Sequence, residues 1–143
     1  MGMDGPTFDP TCEAGMDALV ADVFASACPS RRILDDVVSR WGTLALVALT
    51  EGAYRFNALR RRVEGVSEKM LSQTLQSLER DGMVIRDVQA TIPPRVEYSL
   101  TPLGERVARR LRDLIDLVEA EMPAVRAAQE RYDHEKQQVP VRP

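Results

Sequence analysis

Between Gly65 and Gly82 the chain has room for one helix and little else. Ser67 is a natural N-cap, because its hydroxyl can accept a bond from a first-turn amide. Glu68 sits next to it, beside the positive end of the helix dipole. Leu71, Leu75 and Leu78 repeat at the three-to-four spacing of a single buried face. The pattern predicts a helix over Ser67–Asp81 with one side in a core. At roughly 100° of rotation per residue, the opposite side carries Lys69, Gln73, Gln76 and Arg80. Ser72 and Ser77 flank the boundary, and small Ser72 and Thr74 allow close approach.

The flanking segments restrict the fold further. A short helix is expected from Met16 to Ala25, with Leu19, Val20, Val23 and Phe24 on one side. Cys28-Pro29 breaks it, since proline disfavours helix in the residue before it and starts the next one well. That next helix is expected over Ser30–Arg40, burying Ile33, Leu34, Val37 and Val38. After Arg40-Trp41-Gly42, an apolar helix is expected from Thr43 to about Thr50. Tyr54-Arg55-Phe56 reads as a short extended piece, and Asn57 to Val63 as a small helix with Ala58 and Leu59 inward. Beyond Gly82, Met83–Val88 and Arg95–Leu100 alternate as strands do, around an exposed tip at Ile92-Pro93-Pro94. Thr101-Pro102 caps and opens a last helix, with a stripe of Leu103, Val107, Leu111, Leu114, Ile115, Val118 and Met122. Pro123 is expected to kink or interrupt it.

This order of elements predicts a mainly α fold with a small β-hairpin wing: a winged helix-turn-helix, dimerised through terminal helices. The expected organisation is a flexible acidic arm over 1–15, one domain over 16–131 with its core at 28–118, and a flexible tail over 132–143. No apolar run approaches the length of a membrane span, and two cysteines, Cys12 and Cys28, make no disulfide framework. Both fit a cytoplasmic protein without membrane contact.

The net charge of −3 argues against nucleic acid until its distribution is followed. Residues 1–30 carry five acids and no Lys or Arg, whereas residues 54–73 carry five bases against two acids. The positive charge therefore falls on and before the Ser67–Asp81 helix, where cationic side chains can neutralise phosphates and amides can pair with base edges. Arg60-Arg61-Arg62 precedes the helix, and the tip residues Pro94 and Arg95 can reach a groove or the backbone of DNA. Alternatively, Arg95 pairs with Asp87 or Glu97, and the basic cluster is an ordinary solvated face. An enzyme is not expected. His134 is the sole histidine, no metal-ligand spacing occurs, and there is no Ser–His–Asp set, phosphate loop or dinucleotide fingerprint. No cofactor is expected.

The chain resembles the HxlR family of bacterial winged-helix regulators. The matching residues are Cys28-Pro29, Arg40-Trp41, Tyr54 to Arg61, Gly65 to Leu75, Leu78 to Val84 and Pro93 to Gly104, within roughly 28–118. Arg40-Trp41 stands where the family usually has Lys-Trp, and Val38-Ser39 where a Gly-rich turn is common. The resemblance implies a homodimeric transcriptional regulator on a pseudo-palindromic operator, most simply a repressor. Arg55, Arg60, Arg61, Ser67, Lys69, Met70, Ser72, Gln73, Gln76, Arg80, Pro94 and Arg95 are the candidate DNA-binding residues. It also implies, for some members, sensing of oxidants or electrophiles at the Cys28 position.

The residues point to a dimer independently. The last helix and the Leu19–Phe24 segment offer more apolar surface than one small domain can cover, unless both fold back on their own core. Leu19, Val20, Val23, Phe24, Val107, Leu111, Leu114 and Val118 are the candidate interface. Cys28 has two fates open. A helix start with Arg31 and Arg32 nearby favours a reactive thiolate, while a lone cysteine is more often a small buried hydrophobe. Two other readings remain: a regulator with a small-molecule effector in an apolar cavity around Trp41, Phe24 and Leu114, and a winged domain that serves only as a protein adaptor.

Overall fold

The computed structural model describes residues 22–138. Leu19, Val20, Cys12 and the acidic arm lie outside the described residues. The elements are α1 (Pro29–Val37), α2 (Arg40–Leu49), β1 (Tyr54–Arg55), α3 (Phe56–Arg62), α4 (Glu68–Arg80), β2 (Val84–Gln89), β3 (Arg95–Leu100), α5 (Pro102–Ala120) and α6 (Met122–Gln138). The strands form one antiparallel sheet in the order β1-β3-β2. Tyr54 pairs with Tyr98, and Val84 through Gln89 pair with Leu100 through Arg95. Helices α3 and α4 joined by the Gly65 turn, then a hairpin, make a winged helix-turn-helix.

The helix that framed the sequence reading forms as expected. Ser67 caps it, its Oγ accepting from the Met70 amide at 3.1 Å. Gly65 and Gly82 bound it with positive φ, at 97° and 78°. Leu71, Leu75 and Leu78 are fully buried, together with Leu46 of α2 and Leu59 of α3. Helix α2 is the centre of the core, burying Ala45 through Leu49 in one run. A helix buried nearly all round needs close neighbours, and Gly42 supplies one approach. A Cβ at Gly42 would overlap the Asp36 carbonyl oxygen of α1, so only glycine lets α1 cross there.

Three boundaries differ from the sequence expectation, and at a fourth one of two expected outcomes occurs. Residues 22–25 form turns and not the end of a helix: the Ala25 amide bonds the Asp22 carbonyl, and the Phe24 amide bonds the Asp22 carboxylate at 3.2 Å. Such a local side-chain bond competes with helix. Helix α1 stops at Val37, and Arg40-Trp41-Gly42 form the first turn of α2, because Ser39 caps that helix by accepting from the Gly42 amide. Leu34 of α1 and Val38 just past its end are exposed although they share the apolar stripe. The last helix is interrupted, not kinked: Glu121 separates α5 from α6, and Pro123 stands in the opening turn of the new helix, where it is tolerated. Helix α6 continues to Gln138, through the segment expected to be a frayed tail from Tyr132.

Candidate nucleic-acid interface

Helix α4 presents its polar side outward as the rotation predicts. Lys69, Ser72, Gln73, Gln76 and Arg80 are exposed, and Met70 is 41% exposed. Ser67 is exposed too, with its hydroxyl engaged in the cap. Thr74 and Ser77 are half-buried and share a shallow hollow with Met70, Gln73, Asp36 and Ser39. The α1–α2 junction therefore borders one flank of this ridge.

A second positive feature lies beside α4. An open groove of about 1010 Å³ runs between α3 and the wing, and Arg55, Arg61, Pro94 and Arg95 line it. These four were singled out in the sequence at widely separated positions, and the β1–β3 pairing brings them together. Asn57 lines the same groove and was not among the sequence candidates; one polar residue at a helix start carries no signal of its own. Arg95 makes no ion pair among the described residues with Asp87 or Glu97. The Glu97 carboxylate instead accepts from Gln89 Nε2 at 3.3 Å.

The arginine triplet does not act as one cluster. Arg61 faces the groove. Arg60 lies 3.2 Å from Glu68, so it bridges the end of α3 to the start of α4 with part of its charge offset. Arg62 points elsewhere: its Nε and Nη2 donate to the two oxygens of Glu51 at 2.9 and 2.5 Å, and Tyr54 donates to the same carboxylate at 2.6 Å. Those bonds, from Arg62 first, hold the Glu51 carboxyl down at about 2. The same bond raises the Tyr54 hydroxyl above its ordinary value, and Glu51 raises the guanidinium of Arg62 likewise. Arg62 is thus removed from the phosphate-binding role expected for the triplet. Its partner is eleven residues away and invisible to local periodicity.

At the C-cap of α4, the Asp81 carboxyl is pushed up to about 6, by burial first and then by the hydrogen bond and charge of Asp36. Its Oδ2 is buried with no hydrogen-bond partner. Two acids thus meet where α1 touches the end of the outward-facing helix.

Cys28 is buried at 2% exposure, N-caps α1 in front of Pro29 and is disulfide-bonded. The Ser30 hydroxyl lies 3.0 Å from its sulfur. A hollow of about 360 Å³ beside it is lined by Arg32, Ile33 and Arg80. Arg80 belongs to α4, so the cysteine and the outward helix share a wall. Arg31, expected to help activate the thiol, instead donates to the Phe24 carbonyl at 3.0 Å.

The candidate interface residues separate into two groups. Leu111 is buried and Val107 half-buried against the chain's own core, so the expectation that Leu111 faces a partner is corrected. Leu114 and Val118 are about half exposed, and Leu117, absent from the sequence candidates, joins them at 58%. Phe24 is 89% exposed, Val23 half-buried. Phe24, Trp41 and Leu114 share none of the main hollows among the described residues. The cleft that does exist near α5 is formed by Leu44, Val47, Val63 and Ile115. Among the described residues there is no group of His, Cys, Asp and Glu able to hold a metal, and no helix is long and apolar enough to cross a membrane.

Comparison with known proteins agrees with this geometry. A model of HxlR-like helix-turn-helix proteins matches residues 37–126. The HTH-type transcriptional regulator YtfH of Escherichia coli (strain K12) is 53% identical over 109 residues, spanning 76% of this chain and 86% of that protein. The solved structure of the transcriptional regulator ytfH from Salmonella typhimurium superposes with a TM-score of 0.73 at 52% identity, over 78% of this chain and 99% of that one. The redox regulator HypR in its oxidized form gives a TM-score of 0.60 at 33% identity, over 65% of this chain and 96% of that one.

Proposed function

The chain belongs to the HxlR-like helix-turn-helix family of DNA-binding transcriptional regulators, and from that premise we propose that it represses transcription in the cytoplasm as a homodimer on a pseudo-palindromic operator. The observation that carries this reading is the outward face of α4, where Lys69, Gln73, Gln76 and Arg80 stand free of the core. Amides there suit bidentate pairing with adenine, and the cations suit phosphate or guanine. The groove with Arg55, Arg61 and Arg95 takes the adjoining backbone or minor groove. Dimerisation through Leu114, Leu117 and Val118 sets two α4 helices roughly 34–36 Å apart, one turn of duplex. Repression needs only that the dimer cover the promoter.

The direct test is capture of genomic fragments by the purified chain, followed by titration of the recovered operator at several salt concentrations. Arg61→Ala should weaken all sequences alike and flatten the logarithmic salt slope by about one unit. A chain that binds no duplex from its own genome at low ionic strength ends this reading.

Sensing at Cys28 is the second part of the proposal. Its support is the wall that Cys28 shares with Arg80, and the likeness to a redox regulator. Oxidation or reduction at Cys28 then moves the start of α1 against the end of α4. Operator affinity of wild type should change between reducing conditions and diamide, while that of Cys28→Ser should not. Identical responses would end the sensing role.

A further inference from the structure

We propose that the cleft between α2 and α5 is an effector site for a small lipophilic organic cation. It encloses about 310 Å³, at the lower end of the ~300–1,000 Å³ typical of small-molecule sites. The floor is apolar, made by Leu44, Val47 and Ala48 of α2, Val63 after α3 and Ile115 of α5. The rim is charged, and its charges do not cancel. Glu51 is matched by Arg62 through two hydrogen bonds. Arg112, also on the rim, lies 3.3 Å from Asp116. Glu64 and Glu119 complete the rim and have no ion pair or hydrogen bond among the described residues.

An apolar floor beneath two unmatched carboxylates selects for an apolar body with a positive head. The floor compensates for dehydrating the body, and the carboxylates compensate for dehydrating the charge. An anion of the same shape meets net negative potential at the rim, and a neutral molecule gains nothing from it.

The location gives the site a consequence, which rests on the dimeric regulator proposed above. Helix α2 is the centre of the winged core, and α5 carries the exposed stripe Leu114, Leu117 and Val118. A molecule seated between them favours one separation of core and stripe. In a dimer, that separation sets the spacing of the two α4 helices. Bound cation therefore shifts the population away from the DNA-fitting arrangement, to the extent of its differential affinity.

Trp41 is a built-in reporter. It is the chain's sole tryptophan, and it packs within 3.7 Å of where a Cβ on Gly65 would stand, next to Glu64. The experiment titrates the full chain with benzyltriethylammonium, and with benzyl alcohol and benzenesulfonate as neutral and anionic probes, reading Trp41 emission. The expected result is a saturable response to the cation alone. The exposed double variant Glu64→Gln/Glu119→Gln should bind that cation at least tenfold more weakly and keep wild-type operator affinity. Saturating cation should lower operator affinity at least fivefold in wild type only. Equal responses to the three probes, no saturable response, or cation binding that survives the double substitution would overturn the site. Cation binding without a change in operator affinity would overturn the effector role. A chain that binds no DNA refutes the regulator reading, while the fluorescence titration still decides the cleft.

Discussion

The winged core and the distal half of α5 with α6 obey different rules in one molecule. In the core, every leucine of the α4 stripe is matched: α4 packs on α1, α2 and β2, and Leu71, Leu75 and Leu78 disappear from solvent. Past Leu111 the apolar stripe of α5 continues, yet Leu114, Leu117 and Val118 stay open to water, and α6 buries no residue at all. The core is complete in one chain. The C-terminal helices carry the same kind of pattern and, among the described residues, meet no surface that covers it. The difference teaches that an amphipathic stripe reports a burial need and does not name the surface that satisfies it.

The sharpest way to break this comparison is to empty the core. Leu75→Ala removes a fully buried side chain and should cost about 2–5 kcal/mol, lowering the urea midpoint of the chain at any concentration. Leu117→Glu should do the opposite: leave the fold intact and weaken self-association. Fully burying a leucine stabilises by about 1.5–3 kcal/mol, and a two-fold interface contains each side chain twice. Sedimentation equilibrium should show at least a tenfold weaker dimer with an unchanged circular dichroism spectrum; a dimer of wild-type strength would remove Leu117 from the interface. Gln73→Ala, on the outward face of α4, should relax preference at one base pair by about 1–3 kcal/mol and leave thermal stability unchanged. A binding motif identical to wild type would refute base reading by Gln73.

The smallest effect concerns the junction of α1 and α4. The Asp81 carboxyl is raised from 3.8 to about 6 in the fold, so the folded state prefers it protonated. That preference stabilises fully below about pH 4 and is lost as pH rises through about 6. Asp81→Asn should therefore raise the melting temperature by a small margin at pH 7, and the gain should vanish near pH 4. A gain independent of pH would show that Asp36 and burial do not control this carboxyl.

The fold was legible wherever the signal was local. The leucine spacing of α4, its Ser67 cap, the alternation of β3 and the Thr101-Pro102 start of α5 each lie within a few residues, and each element formed as read. The local pattern failed at Arg40-Trp41-Gly42, expected to precede the apolar helix, where Gly42 lies inside α2 and is the contact that lets α1 cross it. It failed again at Tyr132, where helix α6 runs on through a segment expected to fray. In the candidate interface, the polar face of α4 needed only helical rotation. The grouping of Arg55, Arg61 and Arg95 needed the β1–β3 pairing, and the separation of Arg62 from its neighbours needed Glu51.

What the residues alone determined is which side chains share a face, because backbone geometry fixes the period of helix and strand. What only the tertiary arrangement decided is the fate of each face. Leu111 and Leu114 belong to one stripe, yet one is buried and the other open; three consecutive arginines go to a groove, a bridge to α4 and a carboxylate on the far side. Those outcomes depend on how whole elements cross, a relation between distant segments that no local period encodes.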